Sequence, residues 1–148
     1  MVIYTAGYLA GWTPEALVAK AKKLEALVVD VRLVPMSRRP EWSEVCLKQA
    51  LGAAYAWIGE WGNVNYRTGG PVLLADFEGG LAKLGRPAEN VILLCACRNV
   101  NVCHRKVVAE KLAAEWGREI VHLGRPGGVK KISDCSDLGV DRMATAPL

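Results

Sequence analysis

Three cysteines and one histidine lie within ten residues of one another in this chain, in the stretch VILLCACRNVNVCHR. Cys95 and Cys97 follow an apolar run, and Cys103 and His104 follow a five-residue loop. A thiolate is a strong nucleophile, and a neighbouring imidazole can exchange its proton. The spacing therefore indicates a nucleophilic or redox thiol site, in which we expect Cys95 and Cys103 as candidate nucleophiles and His104 as the acid/base group.

The residues on either side of this cluster predict the elements that position it. The run from Val91 to Leu94 has no helical spacing, which suits a strand buried on both faces of a parallel sheet. Beyond the loop, apolar residues recur at intervals of four and predict a helix that begins between Cys103 and Arg105 and ends at Gly117. Where a strand ends and a helix begins, open α/β sheets bind ligands, because free N–H groups of the helix favour anions.

Three arginines are the candidate anion-binding residues: Arg32, Arg38 and Arg105. Asp30 and Arg32 close a second apolar run and share one face of it, so the guanidinium can offer its planar fork to a carboxylate or a phosphate. The alternative is an internal ion pair between these two residues that orients the loops. We expect supporting roles for Asp30, Thr5, Tyr8 and Ser37.

Other roles for the cysteines stay open. Cysteines are often small buried hydrophobic residues, and a disulfide between Cys97 and Cys103 is a further alternative. Cys95, Cys97, Cys103 and His104 are also metal-ligand types, but a Cys-x-Cys followed by an adjacent Cys-His pair is not a familiar zinc spacing. We therefore predict neither a metal nor a cofactor.

The whole chain alternates short apolar runs with helical patterns, which predicts a three-layer α/β sandwich with a mainly parallel, five-stranded sheet, Rossmann-like or rhodanese-like. The strand of Cys95 should be central, with Asp30 and Cys95 at the carboxyl edge. Expected helix starts are Thr13-Pro14, Ser43, Pro71 and Cys103. The expected strands are Val2 to Tyr8, Ala26 to Leu33, Ala53 to Ile58, Val91 to Cys97 and Glu119 to Leu123. Residues 1–123 should form a single domain, and 124–148, rich in Gly, Pro and Ser, a C-terminal tail packed on the domain or a partner.

Composition narrows the class of protein. A chain of 148 residues with 51% hydrophobic and 23% charged residues is typical of one folded domain. Its longest uncharged run, Met1 to Pro14, is too short to span a membrane and is not a secretory signal. We therefore expect a cytoplasmic protein with no membrane partner. Five cysteines, an odd number, argue against a secreted disulfide scaffold, and a single Gln beside abundant Lys, Arg and Glu hints at a thermophilic source.

Charge is distributed unevenly along the chain. The net charge is +4, but the segment from Arg98 to Lys131 contains eight Lys and Arg and three Glu. This local excess favours an anionic partner, whereas the alternative is a solvated helix face followed by a basic tail.

Several short motifs together resemble the domain of unknown function 488 family, over Val2 to about Leu123. They are Thr5-x-Gly7-Tyr8, Asp30-Val31-Arg32, Pro35-x-Ser37-Arg38, Trp42-Ser43, Tyr55, Leu93-Leu94-Cys95, Cys103-His104-Arg105 and Val121-His122-Leu123. The resemblance implies a compact α/β domain found in bacteria and archaea and brings no established activity. Many members have Glu after Leu-Leu-Cys-Ala, and this chain has Cys97 there, which adds a third thiol.

The chain also resembles the rhodanese-like sulfurtransferases, more loosely, in having Asp-Val-Arg at the end of an early strand and a later apolar strand that ends in Cys. The rhodanese and dual-specificity phosphatase loops place Arg six residues after the nucleophilic Cys. Here Asn101 stands at that distance from Cys95, and Cys103 at that distance from Cys97. Fold analogy alone does not establish an activity, so sulfur or phosphoryl transfer is a hypothesis only.

Two classes of function follow from these residues. The first is a thiol-dependent enzyme acting on a small anionic or nucleotide-like substrate, in which the arginines hold the anion. The second is a nucleotide- or nucleic-acid-binding module, in which the arginines bind phosphate, aromatic residues stack on bases and the cysteines are structural. The sequence does not decide whether the protein is an enzyme, and it does not give the oligomeric state.

Overall fold

A computed structural model describes residues 1–126 of the chain, and in these residues five parallel strands form one sheet. The strands are β1 (Val2–Gly7), β2 (Ala26–Asp30), β3 (Tyr55–Trp57), β4 (Asn90–Cys95) and β5 (Glu119–His122). Their order across the sheet is β3-β2-β4-β1-β5, and every neighbouring pair is parallel. The predicted α/β class is therefore confirmed, and so is the central place of the strand that ends in Cys95.

Four α-helices connect and cover the strands: α1 (Pro14–Leu24), α2 (Glu44–Leu51), α3 (Phe77–Leu84) and α4 (His104–Trp116). Three of them begin where the sequence predicts. Thr13 caps α1 by accepting a hydrogen bond from the Ala16 N–H at 3.1 Å, and Ser43 caps α2. Cys103 is the N-cap of α4, and Gly117 ends that helix in a left-handed conformation with φ of 65°.

The predicted start of α3 at Pro71 was wrong. Residues 73–76 instead pair with the loop before them, through a Val64 N–H bond to the Leu73 carbonyl and an Ala75 N–H bond to the Gly62 carbonyl. Asp76 then accepts a hydrogen bond from the Gly79 N–H at 2.9 Å and caps the helix. The helix therefore begins at Phe77, six residues after Pro71, because the side chain of Asp76 caps it there. The preference of proline for the first helical turn does not determine this helix start.

All five strands end before the predicted residue: β1 and β5 end one residue early, and the other three differ by more at one end. The strand β2 ends at Asp30 instead of Leu33, and β3 begins at Tyr55 because residues 52–54 form a 3-10 turn. The strand β4 ends at Cys95, so Cys97 lies in the following loop and not in the sheet. The Cys97 carbonyl accepts a hydrogen bond from the Arg105 guanidinium instead of one from a neighbouring strand.

Two apolar layers cover the two faces of the sheet, as expected for a parallel sheet buried on both sides. On one face, Val28 and Ile92 pack with Leu17 of α1 and Leu47 of α2. On the other face, Val29 of β2 and Leu93 and Cys95 of β4 pack against α4 and Trp61. The α4 side chains in this layer include Val108 and Leu112. Because side chains alternate along a strand, Leu93 and Cys95 share the α4 face. The fold therefore aims the last residue of the central strand at the start of α4.

Among residues 1–126, no helix combines the length and the apolar character needed to cross a bilayer. The predicted C-terminal tail lies outside the described residues from position 127 onward.

Candidate functional site

A cavity of about 350 Å³ opens at the carboxyl edge of the sheet. Cys95, Cys97 and His104 line it on one side, and Tyr8 and Arg32 line it on another. The polar loop between β3 and α3 contributes Asn63, Asn65, Tyr66, Gly69 and Gly70 to its wall. The cavity thus brings two cysteines of the predicted cluster and its histidine to one accessible place.

Cys95 and Cys103 form a buried pair of thiols, with sulfur atoms 2.7 Å apart. Their residues are 1% and 2% exposed, and both thiols are free. Cys95 ends the central strand on the face that α4 covers, and Cys103 is the residue before that helix. The Cys103 sulfur accepts a hydrogen bond from the Arg105 backbone N–H at 3.5 Å, so it caps the helix. Cys95 and Cys103 are therefore close together because one ends the strand and the other begins the helix that covers it.

The His104 ring is oriented by a backbone carbonyl. Its Nε2 lies 2.7 Å from the carbonyl oxygen of Val31, which can only accept, so Nε2 carries the hydrogen. The lone pair of Nδ1 then faces the Cys103 sulfur at 3.8 Å. Burial lowers the pKa of His104 below its ordinary value, against the opposing effect of the Val31 carbonyl. At neutral pH the ring is therefore uncharged and can accept a proton from Cys103.

Cys97 is the half-buried thiol of the cluster, and its pKa lies well below the ordinary value. The lowering comes first from a hydrogen bond with Cys103, then from one with Cys95, and Arg105 adds a favourable charge, whereas burial acts in the opposite direction. The loop that carries Cys97 is held by the Arg105 Nη1, which donates to the Cys97 carbonyl at 2.8 Å. Of the three thiols, Cys97 is therefore the one whose pKa is lowered.

The pKa values of the other two thiols are raised. Burial raises the pKa of Cys95 well above its ordinary value, and its hydrogen bond with Cys103 adds to this. For Cys103, the hydrogen bond with Cys95 lowers the pKa, but the hydrogen bond with Cys97 and burial outweigh it, so the pKa is raised. Cys103, which the sequence indicates as a candidate nucleophile, therefore has a raised pKa although it lies at a helix start.

Arg105 lies beneath the thiols, at 2% exposure, and does not line the cavity. Its guanidinium donates to the Thr5 hydroxyl at 3.3 Å and to the Cys95 sulfur at 3.5 Å, as well as to the Cys97 carbonyl. The Thr5 hydroxyl also lies 2.7 Å from Nδ1 of His122. Thr5 and Arg105 therefore support the thiols from below, which is a different place from the anion pocket that the sequence indicates for Arg105.

Asp30 and Arg32 form an internal ion pair, which the sequence indicates as the alternative to anion binding by Arg32. Two guanidinium nitrogens of Arg32 donate to the carboxylate, at 2.9 and 2.6 Å, and the Tyr55 hydroxyl donates to it at 2.5 Å. Burial alone would lower the pKa of Arg32, but its bonds to Asp30 raise it, so the guanidinium keeps its charge. The Nη1 of Arg32 has only long contacts, 3.5 Å to the Tyr8 hydroxyl and to the Met36 carbonyl. This nitrogen can still donate into the cavity.

Neither Arg38 nor Ser37 lines the cavity. Arg38 is exposed, and the Ser37 hydroxyl accepts a hydrogen bond from the Arg39 N–H at 3.1 Å. The structure therefore does not bring the three arginines together: Arg32 lines the cavity, Arg105 lies beneath the thiols, and Arg38 lies outside. Tyr8 stacks on Trp42, with ring centroids 4.5 Å apart, so those aromatic faces are used in packing.

Ligand atoms of Cys95, Cys103 and His104 all lie within 4.8 Å of one another. Two sulfurs bound to one tetrahedral Zn²⁺ at about 2.3 Å each would be about 3.8 Å apart. The observed 2.7 Å between the Cys95 and Cys103 sulfurs is shorter. As placed, the two sulfurs are therefore too close together to be two ligands of one zinc ion.

Comparison with known protein families gives a match for one segment of the chain. Residues 15–68, about a third of the chain, match the model of a family described as "Domain of unknown function DUF488". The match includes Asp30, Arg32, Ser37 and Arg38 and supports the resemblance stated from the motifs. A search of the curated proteins and a search of the solved structures each found no match. The looser resemblance to rhodanese-like proteins stays a prediction.

Sequence reasoning underestimated Cys97. It named this residue only as a third thiol and as a zinc or disulfide alternative, because the predicted strand extended to it. The signal that could have found it is the Cys-x-Cys spacing itself. Residues two apart on a strand point to one face, and a strand that ends at the first cysteine frees the second to lie beside the cavity. Chemically, the arrangement can offer one accessible thiol with a lowered pKa, in a cluster with two buried thiols whose pKa values are raised.

Proposed function

We propose that this protein is a thiol-dependent enzyme in which Cys97 attacks a small electrophilic substrate bound in the cavity at the carboxyl edge of the sheet. The observation that supports this proposal is the place of Cys97 in the cavity wall, where Cys95 and His104 line the same cavity. A nucleophile must be both accessible and deprotonated. Cys97 is the thiol of the cluster that meets both conditions.

Each neighbour has a distinct role in this proposal. His104, uncharged and with Nδ1 toward Cys103, takes protons from the buried thiols during the reaction. Arg105 fixes the loop of Cys97 through the carbonyl at 2.8 Å. Cys95 and Cys103 determine the charge on Cys97 through their hydrogen bonds. We therefore propose Cys97 as the nucleophile, in place of Cys95 or Cys103.

The substrate is small and carries at most a limited negative charge. Arg32 is the charged residue among those that line the cavity, and Asp30 already balances it. Its Nη1 can donate to one carboxylate or phosphate oxygen of a small anionic or nucleotide-like molecule. The substrate's remaining surface meets the apolar side chains of Val34, Met36, Val72 and Val102. A cytoplasmic location is part of this proposal, because the attack needs Cys97 in its reduced form.

The test is the pH profile of alkylation by iodoacetamide, followed for each thiol by peptide mass. Trypsin cleaves after Arg98, so Cys103 is on a separate peptide from Cys95 and Cys97, and fragment spectra separate the last two. We expect Cys97 to react first and to keep its rate between about pH 8 and pH 6. A free cysteine with a pKa of about 8.5 slows by about a hundredfold over that range.

The matched control is Cys97→Ser, which should remove the fast phase without exposing Cys95 or Cys103. Comparing iodoacetate with iodoacetamide tests the anionic substrate, because a donor from Arg32 should raise the ratio of their rates above that of free cysteine. Uniformly slow thiols with ordinary pKa values would reject the enzyme. In that case the nucleotide- or nucleic-acid-binding module, with structural cysteines, becomes the better description.

A further inference from the structure

We propose that the electrophile attacked by Cys97 is a disulfide, and that the buried Cys95 and Cys103 supply the two electrons that reduce it, by closing into a disulfide of their own. This inference rests on the proposed function and names its substrate class. It is carried by two observations: the buried sulfurs of Cys95 and Cys103 lie 2.7 Å apart, and Cys97, two residues after Cys95, lines the cavity.

Access determines which thiol reacts first. Cys103 is 2% exposed and does not line the cavity, and Cys95, which borders the cavity, is only 1% exposed, so a substrate disulfide meets Cys97 before either of them. Cys97 is half-buried and lines the cavity. The first step is therefore attack of the Cys97 thiolate on the substrate RS–SR, which forms a mixed disulfide between Cys97 and one half of the substrate and releases the other half as RS⁻.

The second step uses Cys103. Its proton passes to Nδ1 of His104 at 3.8 Å, and its sulfur attacks the Cys97 sulfur, which releases the second RS⁻ and leaves a Cys97–Cys103 disulfide. In the third step, Cys95 attacks Cys103 and Cys97 leaves as a thiolate. The protons of Cys95 and Cys103 end on the two RS⁻ groups. In total, one RS–SR and two thiols give two RSH and a Cys95–Cys103 disulfide.

The closing step needs little movement. A disulfide bond is about 2.05 Å long, and the two sulfurs are already 2.7 Å apart, so a small side-chain rotation brings them together. Cys97 is the better leaving group in that step, because its pKa is the low one of the three and the thiol with the lower pKa leaves faster. The thiols therefore react in the order Cys97, Cys103 and Cys95, beginning with the half-buried thiol that lines the cavity.

The probe for this relay is dithiodiglycolate, a small disulfide with two carboxylates, mixed with fully reduced wild-type protein without oxygen and quenched with acid at successive times. We expect a mixed disulfide on Cys97 early and a disulfide between Cys95 and Cys103 at the end, with Cys97 free. Because trypsin separates the peptide of Cys95 and Cys97 from that of Cys103, a linked pair of peptides reports closure, and fragment spectra show which cysteine is linked.

Two variants stop the relay at different points. Cys103→Ser should accumulate the mixed disulfide on Cys97, and Cys95→Ser should stop at the Cys97–Cys103 disulfide. Circular dichroism checks that each variant is folded, and the wild-type time course tests the order of steps even if one is not.

The outcomes separate the two proposals. A mixed disulfide on Cys97 that persists in the wild-type protein would overturn the relay and leave Cys97 as a nucleophile toward other electrophiles. A Cys95–Cys103 disulfide that forms as fast in Cys97→Ser as in wild type would also overturn it. If Cys97 reacts no faster than a free cysteine with both iodoacetamide and the probe, both proposals are wrong.

Discussion

The backbone of Gly7, at the end of β1, lies directly against the carbonyl group of Cys97. A Cβ atom at position 7 would overlap that carbonyl oxygen and would lie 2.7 Å from Nη1 of Arg105, the nitrogen that donates to it. Gly7 has an ordinary extended backbone with φ of −107°, so its requirement is space and not conformation. The position of the accessible thiol therefore depends on a missing side chain about ninety residues earlier in the chain.

Gly7→Ala should displace the Cys97 loop and break the bond between Arg105 and the Cys97 carbonyl. We expect a loss of about 1–3 kcal/mol in the free energy of unfolding, as for other overpacked sites, and slower alkylation of Cys97. Chemical denaturation and peptide-resolved labelling measure the two effects. Gly124→Ala is the control, because a Cβ there meets no atom within 4 Å. Unchanged stability and labelling in Gly7→Ala would show that the loop is not held where the structure places it.

Asp30→Asn should destabilise the protein strongly. The carboxylate is fully buried, accepts two bonds from the Arg32 guanidinium and one from Tyr55, and its removal leaves Arg32 charged at 6% exposure. Breaking one partner of such a pair costs about 3–5 kcal/mol.

The control is Glu44→Gln, in the partly exposed pair of Glu44 and Lys48 at 3.6 Å, which should cost less than about 1 kcal/mol. Urea unfolding of the two variants gives both values. Equal losses would contradict the assignment of the Asp30–Arg32 pair as a structural one.

Much of this fold could be predicted from the sequence, because its signals are local. Thr13 and Pro14 mark a helix start by type alone, and the apolar run before Cys95 marks a strand covered on both faces. Parallel strands in a right-handed α/β arrangement then bring the strand end of Asp30 beside that of Cys95. In the structure Asp30 pairs with Leu94, the residue before Cys95.

The site was less predictable, because its chemistry depends on contacts between distant residues. The loop of Arg38 has no periodicity that fixes its direction, so nothing in the sequence shows that the side chain lies away from the cavity. The charge of Cys97 depends on Cys95, Cys103 and Arg105 together, and Arg105 is itself held by Thr5, a hundred residues away. Spacing identified the cluster, but only packing shows which thiol has the low pKa.

His104→Ala should slow the steps that consume protons from the buried thiols, and should leave the first attack by Cys97 nearly unchanged. The reason is that Nδ1 of His104 faces Cys103 and not the substrate. In the dithiodiglycolate experiment, the mixed disulfide on Cys97 should therefore last longer in the variant than in wild type. His122→Ala is the matched control, since His122 is exposed and contacts Thr5. An equal lifetime in wild type and His104→Ala would exclude this role for the ring.

The stability of the protein should fall in mild acid because of His104. Burial lowers the pKa of its ring in the folded state, so below the unfolded value of about 6.5 the unfolded chain binds a proton that the folded protein does not. The free energy of unfolding therefore falls as the pH drops below about 6.5, with a slope of at most about 1.4 kcal/mol per pH unit from this group. The charged groups that act on the ring are Arg105, which also lowers the pKa, and Cys97 and Asp30, which oppose it.

Replacing His104 by Gln, which keeps a donor for the Val31 carbonyl, should make the stability less dependent on pH between about pH 7 and pH 5 than it is in wild type. Urea unfolding of wild type and His104→Gln at matched pH values measures the two slopes, and His122→Gln measures the separate contribution of His122, whose pKa burial also lowers. Wild type and His104→Gln would lose stability at the same rate only if His104 titrated alike in the folded and unfolded states. That result would contradict the burial of an uncharged ring between Val31 and Cys103.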